Sequence, residues 1–68
     1  MNKYDWSNVP KEVNWIATDA DDSVCGYSSK PQQFSLGWNT HYSGNFIAHL
    51  ITKPFNGYWR NSLEERPK

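Results

Sequence analysis

A single cysteine, Cys25, in a chain of 68 residues rules out an internal disulfide. That fact constrains the fold most. A domain of this size buries only roughly 60% of the surface its unfolded chain exposes. Small folds therefore lean on disulfides, a metal, oligomerisation or unusually large core side chains. This sequence takes the last route, with four Trp, four Tyr and three Phe. Aromatic rings bury the most area per residue. A free thiol also suits a reducing compartment.

Local patterning places strands between turn signals. Pro10 in "SNVPKEV" suits the first position of a helical turn, with Ser7 or Asn8 before it. Trp6 and Val9 are expected to fold back on a sheet. "VNWIAT" alternates, with Val13, Trp15 and Ala17 on one face and Asn14, Ile16 and Thr18 on the other. "DADD" supplies a tight turn, because Asp tolerates positive φ and bonds its own backbone. "SVCGYSS" then pairs back as a hairpin, and Lys30-Pro31 breaks it. "QQFSLGW" reads as a half-buried strand, with Phe34, Leu36 and Trp38 inward. "NFIAHLIT" reads as a central strand covered on both sides. Asn56-Gly57 marks a turn. In the tail, Asn61 or Ser62 is placed to cap one helical turn through Leu63 and Glu65, and Trp59 and Leu63 share its inner face. The expected fold is mainly β: one domain over 1–68, a small three- or four-stranded antiparallel meander with short helical turns near the termini.

The bulk numbers narrow the function classes. Seven basic and seven acidic residues give a formal charge of zero. That argues against a phosphate-backbone binder relying on bulk charge, so nucleic acid ranks low among partners. The apolar runs fall short of a membrane span, and "MNKYDWSNVP" lacks the apolar core of a signal peptide. The expectation is a soluble cytoplasmic protein with no membrane partner.

Taken together, Asp5, Trp6, Ser7, Pro10, Trp15, Ala17, Asp19, Asp21, Tyr27, Lys30, Pro31, Trp38, Trp59, Ser62, Leu63, Arg66 and Pro67 form a recognisable scheme. It runs D-W-S-x-x-P, then W-x-A-x-D-x-D-G, K-P and a closing W-x-x-S-L-x-x-R-P. Over nearly the whole chain this resembles a short tryptophan-rich protein family of tailed phages and prophages. The chain departs at Asp22, where the scheme has Gly. The resemblance implies a phage or prophage origin and an accessory role in the host bacterial cytoplasm, without implying any chemistry.

Catalytic and metal motifs fail on residue type and spacing. "DADDS" fails as a calcium loop: counted from Asp19, position six is Val24 and position twelve is Lys30. His41, His49 and Cys25 lack zinc spacing. Cys25 as a nucleophile has nothing local to lower its pKa. His49 reads as a half-buried strand residue. The chain is read as a non-enzyme, with no catalytic residues, no metal and no cofactor. Trp6, Trp15 and Trp59 are assigned to the core. An aromatic surplus near the loops is left for binding: Trp38, His41, Tyr42, Phe55, Tyr58 and Arg60 are the candidate partner or ligand residues. The expected partner is a host protein, consistent with a counter-defence inhibitor. A small nucleotide held by aromatics with Arg60 or Lys53, a nucleic-acid accessory role and self-assembly as an oligomer are the alternatives.

Overall fold

The computed structural model describes residues 2–40 and 47–68. Its elements are β1 (Trp15–Thr18), β2 (Val24–Tyr27), β3 (Gln32–Gln33), β4 (Trp38–Asn39), β5 (Ile47–His49), a 3-10 turn (Trp59–Asn61) and β6 (Glu64–Glu65). The fold is mainly β and antiparallel. One sheet has the order β5-β2-β1-β6, and β3 and β4 form a second, two-stranded sheet.

The β1–β2 hairpin is the centre. Ile16 faces Gly26, and Ala17 faces Cys25. The loop between them closes with Asp22 N–H to the Asp19 carbonyl at 3.0 Å and Asp19 N–H to the Ser23 carbonyl at 2.8 Å. Asp22 has a φ of 70°, the left-handed conformation that Asp tolerates and Gly takes freely. Asp22 thus keeps the turn.

Both faces of the hairpin are covered. On one face lie Tyr4, Val13, Ile16 and Val24, with Trp6, Val9, Leu50 and Phe55 packed around them. On the other lie Ala17, Cys25 and Tyr27, with Trp15, Trp38 and Leu63. Val13 therefore sits with Ile16, not with Trp15 and Ala17 as strict alternation implies. It precedes β1, in a turn whose Val13 N–H bonds the Pro10 carbonyl at 3.1 Å. Gly26 makes room for it: a Cβ there would lie 2.6 Å from Val13 Cγ1.

Four further expectations change. "QQFSLGW" is a hairpin, not one strand: Phe34 N–H bonds the Gly37 carbonyl at 2.7 Å, and Leu36 is 76% exposed at its tip. Gly37 permits this, because a Cβ would meet Asp19 Oδ1 at 2.6 Å. β5 pairs with β2 alone in the sheet order, so it is an edge strand rather than a central one, and Ile51 beyond it is fully exposed. His49, on that edge, is exposed rather than half-buried. The tail forms its turn earlier than expected, then runs as β6 against β1, with Trp15 opposite Glu65. Backbone pairing with a distant strand outcompetes a second helical turn there.

The N-terminal segment is clasped by this tail. The Glu64 carboxylate accepts from the Trp6 indole N–H and from the Lys3 backbone N–H, both at 2.7 Å. Arg66 donates Nε–H to the Val13 carbonyl at 2.9 Å and Nη2–H to the Pro10 carbonyl at 2.7 Å, and its guanidinium lies over the Trp6 ring at 4.9 Å. Ser62 is fully buried and bonds both the N–H and the carbonyl of Thr18. Thr18 in turn shares a 2.7 Å bond with the Tyr4 hydroxyl and accepts the Phe55 N–H. Buried hydroxyls are costly unless bonded, and these are bonded.

Candidate functional site

The four Trp residues are all half-buried, so Trp6, Trp15 and Trp59 rim the core rather than fill it. An indole is large and is seldom enclosed completely. Three of these rings carry a cation: Arg66 over Trp6, Lys30 over Trp15 and Arg60 over Trp59. The cation's alkyl stem and charge seal an indole face against water while keeping the head solvated.

The Trp59 cluster is the candidate site. Trp38 meets Trp59 edge-on, with centroids 6.5 Å apart, and its indole N–H bonds the Trp59 carbonyl at 3.4 Å. Tyr58 contacts Trp59 edge-on from the other direction at 6.3 Å and is 59% exposed. Arg60 lies over the Trp59 ring at 4.7 Å and donates Nη2–H to the Ser35 carbonyl at 3.3 Å. That bond ties the 3-10 turn to the β3–β4 hairpin tip, which carries Phe34 at 42% exposure and Leu36 at 76%. Two short elements thus bring Tyr58, Trp59, Arg60 and the hairpin tip together.

Asp19 positions the hairpin. Its carboxylate accepts the Trp38 backbone N–H at 2.8 Å and packs against Gly37. Burial pushes the Asp19 carboxyl above its ordinary value, an effect offset in part by the Trp38 bond. Tyr27 supports the same strand from below, donating its hydroxyl to the Trp38 carbonyl at 3.0 Å. Burial first, then the nearby Cys25 and Asp19, raises the Tyr27 pKa, so the phenol stays protonated as a donor.

Of the expected binding residues, the structure joins Trp38, Tyr58 and Arg60. Phe55 lies elsewhere, packed on the Tyr4 face with the Lys3 ammonium 5.7 Å from its ring. His41 and Tyr42 fall outside the described residues. Leu36 was missed as a surface residue, because its alternation with Phe34 and Trp38 pointed inward. The only local hint of the turn was Gly37.

No family model matches the chain. No solved structure matches it either. Among the described residues there is no group of three or more His, Cys, Asp or Glu side chains able to hold a metal. No helix among them is long and apolar enough to cross a membrane. Cys25 is buried, and its Sγ lies 3.6 Å from His49 Nδ1. Burial, then Asp19, raises its pKa, the opposite of what an activated nucleophile needs. Lys53 lines an open hollow of about 700 Å³ with Lys3, Tyr4 and Asp5. The Lys3 ammonium is already committed there to the carbonyls of Asn61 and Leu63. Among the described residues, that hollow offers an anion one cation without a bond, Lys53, beside the Asp5 carboxylate.

The residues of the tryptophan-rich pattern serve this architecture as scaffold. Asp5 caps Ser7, Asp21 caps Ser23, Trp6 and Arg66 form the clasp, and Ser62 locks β1. Tyr58, Arg60 and Leu36 lie outside the scheme and line the exposed platform.

Proposed function

We propose that the protein is a small phage-encoded accessory protein that binds a host protein in the bacterial cytoplasm, as a counter-defence inhibitor would. One observation carries the binding part: an exposed Tyr58 and an Arg60 over Trp59 are tied through the Ser35 carbonyl to the hairpin tip that carries the exposed Leu36. Tyr and Arg are the residue types that dominate binding energy at protein interfaces. The platform rests on two short elements tied to the central hairpin, so its rings are pre-positioned, which lowers the ordering cost of docking. The resemblance supports the phage origin and the accessory role.

The test is affinity capture from host lysate with the wild-type protein and a Tyr58→Ala/Leu36→Ala variant. A host protein held by the wild type should be lost from the variant, while circular dichroism and melting temperature stay unchanged. Identical captures by both proteins, or no retained host protein, would count against this function.

A further inference from the structure

We infer that the partner offers Arg60 a carboxylate set beside an apolar side chain, an inference that rests on the platform being the docking surface. Two arginines lie over indoles, Arg66 over Trp6 and Arg60 over Trp59. Arg66 is half-buried and spends its guanidinium on two backbone carbonyls, at 2.9 and 2.7 Å. Arg60 is exposed and makes one long bond, at 3.3 Å, to the Ser35 carbonyl. Among the described residues no carboxylate pairs with it. Four of the seven acidic residues are engaged elsewhere: Asp5 with Ser7, Asp19 with Trp38, Asp21 with Ser23 and Glu64 with Lys3 and Trp6.

A guanidinium has five N–H donors in a planar fork. The Trp59 contact and the bond to Ser35 restrain the guanidinium and use one of its donors. The remaining fork matches the two oxygens of a carboxylate. Tyr58, edge-on to Trp59, and the hairpin tip that carries Leu36 next to Ser35 supply apolar surface near such a pair.

The neighbouring charges select the class of anion. Leu36 lines a hollow of about 290 Å³ with Asp19, Ala20 and Asp21. A nucleic-acid backbone laid on the platform would bring a row of phosphates against those aspartates, with one arginine to neutralise them. A single Asp or Glu needs only the one cation that Arg60 supplies. The occupant is therefore an acidic segment of a protein.

NMR titration of the full chain with three blocked peptides tests this. Their centres are Leu-Glu-Phe, Leu-Gln-Phe and Leu-Lys-Phe in a Gly/Ser background, and the Tyr58, Trp59 and Arg60 side-chain signals are followed. The Glu peptide should bind at least about tenfold more tightly than the Gln peptide, as one charge-assisted bidentate pair provides. Arg60→Gln should abolish that ratio, and Arg60→Lys should reduce it by removing the fork. Tyr58→Ala should weaken the Glu and Gln peptides equally. Equal binding of Glu and Gln peptides at these signals would overturn the carboxylate inference while leaving the docking surface. No shift of these signals with any peptide would overturn both. A thymidine dodecamer that shifts them at low salt, and loses the effect in Arg60→Gln, would overturn the protein partner in favour of nucleic acid.

Discussion

The molecule uses the same pair of residues twice, to opposite ends. At the clasp, Arg66 covers Trp6 and turns inward onto the carbonyls of Val13 and Pro10. At the platform, Arg60 covers Trp59 and turns outward. The clasp pairs the Val13 carbonyl, adds a second donor to the Pro10 carbonyl that already accepts the Val13 N–H, and joins residues more than fifty positions apart in sequence. Arg60 satisfies little of its own fold beyond a single long bond. Residue type alone does not separate a structural arginine from an interfacial one. The count of carbonyls each reaches does.

The largest effect should come from deleting the clasp. Removing residues 59–68 takes away β6, the buried Ser62 and the Arg66 bonds, and leaves the Thr18 N–H without its partner. The truncated chain should give the collapsed amide dispersion of an unfolded protein in an NMR spectrum. A truncated form with the melting temperature of the full chain would break the comparison, because the tail would then brace nothing.

A smaller effect concerns the support under the platform. The folded state holds the Asp19 carboxyl above its ordinary pKa, so it binds that proton more tightly than the unfolded chain does. The cost of burying the charge is present at neutral pH and is relieved as pH falls through the raised value. Asn keeps an acceptor for the Trp38 N–H without the charge. Asp19→Asn should therefore be as stable as the wild type or slightly more stable at pH 7, with the gap closing below about pH 4. Asp5 and Asp21 shift the other way, because bonds from Ser7 and Ser23 lower their pKa values, but they are common to both proteins and cancel. Thermal melts of the two proteins across pH give the sign. A destabilised Asn variant at pH 7 that matches wild type at pH 4 would show that the charge itself holds the hairpin.

What the sequence made legible follows the range of the interactions. The β1–β2 hairpin rests on local alternation and an Asp-rich turn, and both features are readable in a dozen residues. The fold-back of Trp6 and Val9 was legible for the same reason. The 32–39 segment was not, because Phe34, Leu36 and Trp38 alternate as an inward strand face does, while the contact of Gly37 with Asp19 that bends it is a tertiary one. The tail was misread because the spacing of Trp59 and Leu63 suits a helix, whereas its actual pairing partner, β1, is nearly fifty residues away. In the site, Tyr58 and Arg60 stood out as a ring and a cation flanking a tryptophan. Leu36 reaches them only through the Arg60–Ser35 bond, which no local pattern encodes.

The division of labour between the two arginines is the central claim, and paired urea unfolding of Arg66→Ala and Arg60→Ala tests it most directly. Loss of charged hydrogen bonds to two carbonyls should cost Arg66→Ala about 2 kcal/mol or more. Arg60→Ala, giving up one long exposed bond and a surface stack, should cost about 0.5 kcal/mol or less. Equal losses, or a larger loss for Arg60→Ala, would contradict the account by making the platform part of the fold's own bracing.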